Sequence, residues 1–293
     1  MLILDSTHFM VFWFQASTSS MRMFEVAADY SITALDSEFV FDASENTSPL
    51  SAVLIDASKF ILFYGKPSDG QDGFTRVFDY DVSSGVITAL DSELEFDTTE
   101  AQSIGAVLVD DNKAVCFWER SGAGKAQMFS WDSDGVITAL DSVLEFAATL
   151  GARGFHPLMI DSTHILHSYE TTAGTGESTV FEINTDTGVI TKSGDSVGFV
   201  PAGLRSDTSI DLVKMAEDVY LCIFVDIVLD DSYGVMLTTV GNVVASTTGQ
   251  IQITSNGFSE SANIKFGSNF FISAYQDNAS GDGFVRLFKV DPA

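Results

Sequence analysis

Apolar residues in this chain fall into short, dense runs separated by polar turns, and the runs recur at a fixed interval. One run shows the interval best. It reads Phe9-Met10-Val11-Phe12-Trp13, then Phe60-Ile61-Leu62-Phe63-Tyr64, then Ala114-Val115-Cys116-Phe117-Trp118. Further copies are Ile165 to Tyr169, Tyr220 to Phe224 and Phe270 to Ala274. These runs end at 13, 64, 118, 169, 224 and 274, so the spacings are 51, 54, 51, 55 and 50 residues. Six copies at a period near fifty indicate a repeat architecture.

Each copy predicts four strands, a to d, and copy two displays them most clearly. Ala52 to Ile55 is strand a, Phe60 to Tyr64 strand b, Phe74 to Tyr80 strand c, and Val86 to Phe96 a long strand d with a bend near Asp91-Ser92. β-Branched and aromatic residues fill these runs, and Gly, Asp, Asn and Ser punctuate them. A Phe recurs in strand c at 24, 78, 129, 181 and 288, with Met236 in the remaining copy. The a–b turns open on Asp (Asp5, Asp56, Asp110, Asp161), whose carboxylate can accept backbone hydrogen bonds two residues on. The c–d turns Asp81 to Gly85, Asp132 to Gly135 and Thr185 to Gly188 have the length and the Gly of hairpin loops. No capped segment has helical periodicity over ten residues, so the chain reads as all-β.

Four antiparallel strands per unit, apolar on both faces, need neighbours on both sides. Phe12, Phe63 and Phe117 point one way, and Trp13, Tyr64 and Trp118 the other. The expectation is a single domain, 1–293, folded as a six-bladed β-propeller. Its blades span about 1–49, 50–103, 104–155, 156–207, 208–260 and 261–293. A parallel β-helix is the structural rival, disfavoured by the tight hairpins. The sequence ends after strand c of copy six, so the expectation is either a last blade of three strands or a chain cut from a longer array.

Composition narrows the partners. Forty-one acidic against fourteen basic residues give a net charge of −27, which opposes nucleic-acid phosphates and anionic membranes. Cations, basic surfaces and neutral sugars stay open. Part of the charge is structural, since Glu38, Glu93, Glu95 and Glu145 along strand d would guard an exposed edge. Cys116 and Cys222 share one position in strand b of non-adjacent copies and are expected free and buried. No run approaches the ~20 apolar residues of a membrane span, and the N-terminus lacks the basic and apolar regions of a signal peptide.

Catalytic patterns are weak. Ser121 to Ala126 resembles a phosphate loop but lacks its first Gly and final Ser or Thr. His164 and His167 point to opposite faces of a strand. The Asp-rich turns read as hairpin caps, with weak Ca2+ binding as the alternative and no other cofactor implied.

One position varies while the scaffold repeats. Two residues beyond the end of strand b stand Gln15, Lys66, Arg120, Thr171, Asp226 and Gln276. The b–c loop of copy two adds Asp69 and Asp72. Varied loops on a rigid scaffold are where recognition resides, so these eight residues are the candidate ligand-binding set. A glycan or protein ligand is expected there, and the chain reads as a binding module without catalytic residues. A structural or assembly domain, with Ile227 to Leu229 as interface, is the alternative, and a glycosidase or lyase a third. Oligomeric state is not legible.

Three motifs recur together: Leu-Ile-Asp-x-Ser-x-Phe, Gly-Phe-x-x-Val-Phe and Gly-Val-Ile-Thr-Ala-Leu-Asp-Ser-x-Leu-Glu-Phe. As a set they resemble tandem propeller repeats of environmental bacterial and phage proteins. The resemblance covers copies one to four. It implies the fold and a virion, cell-surface or extracellular setting, and it transfers no active site.

Overall fold

In a computed structural model, the described residues are 1–15, 18–43, 47, 50–67, 70–151, 155–200, 210–226, 231–240, 243–247, 251–254, 258–265, 270–277 and 283–289. They form strands and turns, and none belongs to an α-helix. The strands group into six antiparallel sheets, each built from sequence neighbours.

Strand b is the most regular element: His8–Gln15, Lys59–Lys66, Lys113–Arg120, His164–Thr171, Val219–Asp226 and Phe270–Asp277. Strand c follows as Thr18–Val26, Asp72–Tyr80, Ala123–Trp131, Gly176–Ile183, Asp231–Val240 and Gly283–Lys289. Strand d is continuous in copies three and four (Ile137–Ala147, Ile190–Val200). In copies one and two it breaks into Ile32–Ala34 with Phe39–Asp42, and Ile87–Ala89 with Leu94–Asp97. The break falls at the Leu-Asp-Ser of the repeated phrase. Asp36 takes φ of 42° at the break of copy one, and Asp141 takes 50° inside the continuous strand of copy three, a region that short polar side chains tolerate. The sheet of Phe258–Lys265, Phe270–Asp277 and Gly283–Lys289 has three strands.

The chain divides into two compact units. One comprises Met1–Ser121, Ala126–Val143 and Thr185–Gly188; the other comprises Gly122–Lys125, Leu144–Asn184 and Val189–Ala293. In the first, Met10, Met21 and Met23 of copy one pack with Phe60, Leu62, Tyr64 and Phe78 of copy two. The opposite face of copy two, Ile61, Phe63 and Val77, packs with Cys116, Trp118 and Phe129 of copy three. In the second, Leu166, Val180 and Phe199 pack with Tyr220, Cys222, Phe224 and Leu237. Each fully buried large side chain contributes about 1.5–3 kcal/mol, so the copies stabilise one another through shared layers. Cys116 and Cys222 are free and buried within these layers.

Two contacts repeat between successive copies. The Phe near the end of strand d meets the aromatic residue near the end of the next strand b. Ring centroids lie 5.7 Å apart for Phe41–Tyr64, 5.1 Å for Phe96–Trp118, 5.5 Å for Phe146–Tyr169 and 5.6 Å for Phe199–Phe224. The second contact uses the Leu of Ile-Thr-Ala-Leu-Asp-Ser, which lies on the c–d turn of the following copy. A Cβ on Gly135 would come 2.5 Å from Leu90, one on Gly85 2.7 Å from Leu35, and one on Gly188 2.4 Å from Leu140. Gly135 also has φ of 84°, so both geometry and space demand glycine.

Candidate functional site

Strand b ends where its ladder with strand c opens into the b–c loop, which carries the variable position out of the aromatic layer. At copy two this side chain is Lys66, only 12% exposed. Its Nζ lies 2.5 Å from Glu93 Oε1, 3.4 Å from Asp42 Oδ2 and 4.3 Å from the centre of the Phe74 ring. Burial works against the charge of Lys66, but Glu93 and Asp42 outweigh it and hold the ammonium above its ordinary pKa. The hydroxyl of Tyr64 donates to the same Glu93 carboxylate. Burial first, and Glu93 second, push that phenol well above its usual range. Glu93 therefore turns inward to Tyr64 and Lys66 instead of guarding an exposed edge, a correction to the sequence expectation. Glu95 and Glu145 are exposed.

At copy three the equivalent residue is Arg120, and its side chain is 41% exposed. Beneath it lies Asp97, whose side chain is 1% exposed and whose Oδ1 is 3.7 Å from Arg120 Nε. Trp118 Nε1 donates to Asp97 Oδ2 at 2.8 Å, and the Thr99 amide donates to Asp97 Oδ1 at 2.9 Å. Arg120 Nη2 donates to Thr99 Oγ1 at 2.9 Å. Glu100 Oε2 accepts from the Ser121 amide at 2.9 Å, and Glu100 Oε1 accepts from Gln102 Nε2. Gln102 Nε2 also donates to Gln71 Oε1 at 2.8 Å. Gln71, Ser103 and Ser121 have φ of 70°, 52° and 52°. Ser121 does so within the Ser121-Gly122 turn, and Ser103 at a register shift between Gln102 and Gly105. A guanidinium, a carboxylate, two amides and two hydroxyls from two copies thus share one surface.

Of the other expected residues, Asp72 stands opposite Lys66 across the strand pair, and its buried Oδ1 has no hydrogen-bond partner among the described residues. Thr171 Oγ1 lies 2.5 Å from Thr175 Oγ1 across its own b–c turn, in the second unit. Gln15, Asp226 and Gln276 each sit at the end of a strand b, and their side chains lie outside the described residues. Asp69 and Ile227 to Leu229 lie outside them too. Lys66 and Arg120 occupy separate clusters. Sequence reading missed Asp42, Asp97, Thr99, Glu100 and Gln102. The available signal was Phe-Asp at 41–42 and again at 96–97, each followed 24 or 23 residues later by a cation, Lys66 or Arg120.

Neither a protein-family model nor a curated protein matches the chain. Solved structures do. AofleA from Arthrobotrys oligospora is 13% identical with a TM-score of 0.56, covering 97% of this chain and 87% of that one. The SapL1 lectin, solved in complex with alpha methyl fucoside, is 14% identical with a TM-score of 0.52, covering 94% and 96%. The sialidase of Trypanosoma rangeli is 12% identical with TM-scores of 0.52 and 0.54 in two structures, each covering 94% of this chain and 50% of that one. At such identities the likeness speaks to the fold alone. The chain has an all-β, antiparallel fold of the β-propeller kind.

Proposed function

We propose that the chain is a six-bladed β-propeller, one domain over 1–293, that binds a neutral glycan on its b–c loop face. The observation that carries this reading is the Arg120 cluster. Its arginine is braced by Asp97 and Thr99 yet has a side chain 41% exposed, with Glu100 and Gln102 alongside. Sugar hydroxyls both donate and accept, so a surface offering a fixed cation, a carboxylate and amides matches them well. Asp97, Glu100 and a net charge of −27 disfavour an anionic sugar. Gln15, Lys66, Thr171, Asp226 and Gln276 hold the corresponding strand ends in other copies. Lys66, locked by Glu93 and Asp42, then shapes the rim instead of reaching a ligand. The likeness to a lectin solved with a fucoside supports the same reading.

A glycan array probed with the labelled chain and with R120A tests it. Binding to neutral glycans that is lost in R120A is the expected result. An array blank for the wild type would overturn the reading in favour of a structural or protein-binding domain.

A further inference from the structure

Copy two carries a second concavity at the opposite end of its strands from Lys66. A groove of about 280 Å3 is lined by Ser58 and Lys59, by Asp79, Tyr80 and Asp81, and by Val86 and Thr88. Register explains the lining: Lys59 pairs with Asp79, and Asp79 with Thr88, so the three stand abreast on one face of strands b, c and d. Lys59 Nζ lies 3.0 Å from Asp79 Oδ1, and the two side chains are 28% and 41% exposed. The hydrogen bond to Asp79 raises the Lys59 pKa above its ordinary value. Val86, 44% exposed, adds an apolar surface. Tyr80 supplies a buried wall, its hydroxyl donating to the Asp56 carbonyl at 3.0 Å.

The equivalent positions in copies one and four are built differently. They hold His8, Glu25 and Thr33, and His164, Glu182 and Thr191. Each histidine is turned back to its turn aspartate, at 2.8 Å for His8–Asp5 and 2.9 Å for His164–Asp161. In all three copies the turn carboxylate accepts from the amide and hydroxyl two residues on, from Thr7, Ser58 and Thr163, but in copy two a lysine stands where the others have histidine. Lys59 reaches across the strand pair to Asp79, whose side chain is one methylene shorter than the glutamates.

We propose that this groove binds a neutral, monosaccharide-sized polyol, with neighbouring hydroxyls bridging Lys59 and Asp79 and the carbon face of the ring on Val86. A hydroxyl accepts from an ammonium and donates to a carboxylate, so a vicinal diol satisfies both members of the pair. An anionic ligand would meet Asp81 as well as Asp79. The volume lies near the lower end of small-molecule sites, about 300 Å3. The site is independent of Arg120 and stands whether or not that cluster binds glycan.

The test follows the methyl resonances of Val86 and Thr88 in the full chain during titration with methyl α-glycosides of neutral hexoses. Saturable shifts are expected at both residues. Affinity at these two probes should fall about tenfold in D79N, through loss of a charge-assisted hydrogen bond, and, read at Val86, should fall in the near-isosteric T88V. It should be unchanged in R120A. Unmoved methyls, an unaltered D79N, or equal shifts with a sialic acid glycoside would overturn the proposal.

Discussion

Phe96 meets the indole of Trp118 edge-on, with ring centroids 5.1 Å apart and planes at 69°, and so ties strand d of copy two to strand b of copy three. Phe96 also touches Phe63 and Phe129, at 6.1 and 5.6 Å. It is the point where rings from two copies converge. Truncation in F96A removes these contacts and leaves a cavity, at a cost of about 3 kcal/mol. Chemical denaturation read through tryptophan fluorescence checks this. A loss below about 1 kcal/mol would mean that the inter-copy rings are incidental.

The repeated Leu–Gly contact makes a paired prediction. Gly135 and Gly122 have nearly the same φ, 84° and 81°. A Cβ on Gly135 would strike Leu90 at 2.5 Å, whereas one on Gly122 meets nothing within 4 Å. G122A should therefore cost only the backbone strain of about 1–2 kcal/mol. G135A should cost that plus overpacking, about 1–3 kcal/mol more. Equal midpoints for the two variants would show that the c–d turn gives way without consequence.

These contacts mark how far the sequence could be read. Strand b was plain, because its continuous apolar runs are buried on both faces, as with Phe60 to Tyr64. The break in strand d was half visible. Asp91-Ser92 suggested a bend, and strand d parts there in copies one and two, whereas in copy three it runs on through Asp141 at φ of 50°. The site was less legible. Lys66 and Arg120 stood out as variable positions, yet their different fates depend on carboxylates contributed by the preceding copy and by strand d. Asp42 and Glu93 enclose Lys66, whereas Asp97 supports Arg120 from beneath. Pairing across copies over more than twenty residues leaves only the recurrent Phe-Asp as a trace.

Asp97 separates stability from recognition. It accepts from the buried Trp118 indole at 2.8 Å, so D97A leaves that N–H unsatisfied, at about 1–3 kcal/mol. D97N keeps an oxygen acceptor and should cost less. R120A removes a partly exposed pair and should cost under about 1 kcal/mol. Thermal melts of the three variants should rank D97A lowest and R120A nearest the wild type. R120A melting at or below D97A would reverse the assigned roles.

His167 predicts the acid behaviour. Its ring lies among Phe155, Phe146 and Tyr169, at 4.9, 5.5 and 5.6 Å. Burial, with the His156 charge adding to it, lowers its pKa to about 3. The unfolded chain therefore takes up this proton first as pH falls. Stability contributed by the neutral ring is present above the unfolded pKa of about 6.5 and declines by about 1.4 kcal/mol per pH unit towards pH 3. H167F should flatten the dependence of the unfolding free energy on pH between 6 and 4. Parallel profiles for H167F and wild type would exclude His167 as the cause.

The most direct measurement is electron density from crystals of the chain soaked with the best neutral glycan from the array. The account predicts a sugar hydrogen-bonded to the Arg120 guanidinium and to the Glu100 or Gln102 side chain. Density for the sugar only at other surfaces, with Arg120 still turned solely to Thr99 and Asp97, would contradict it.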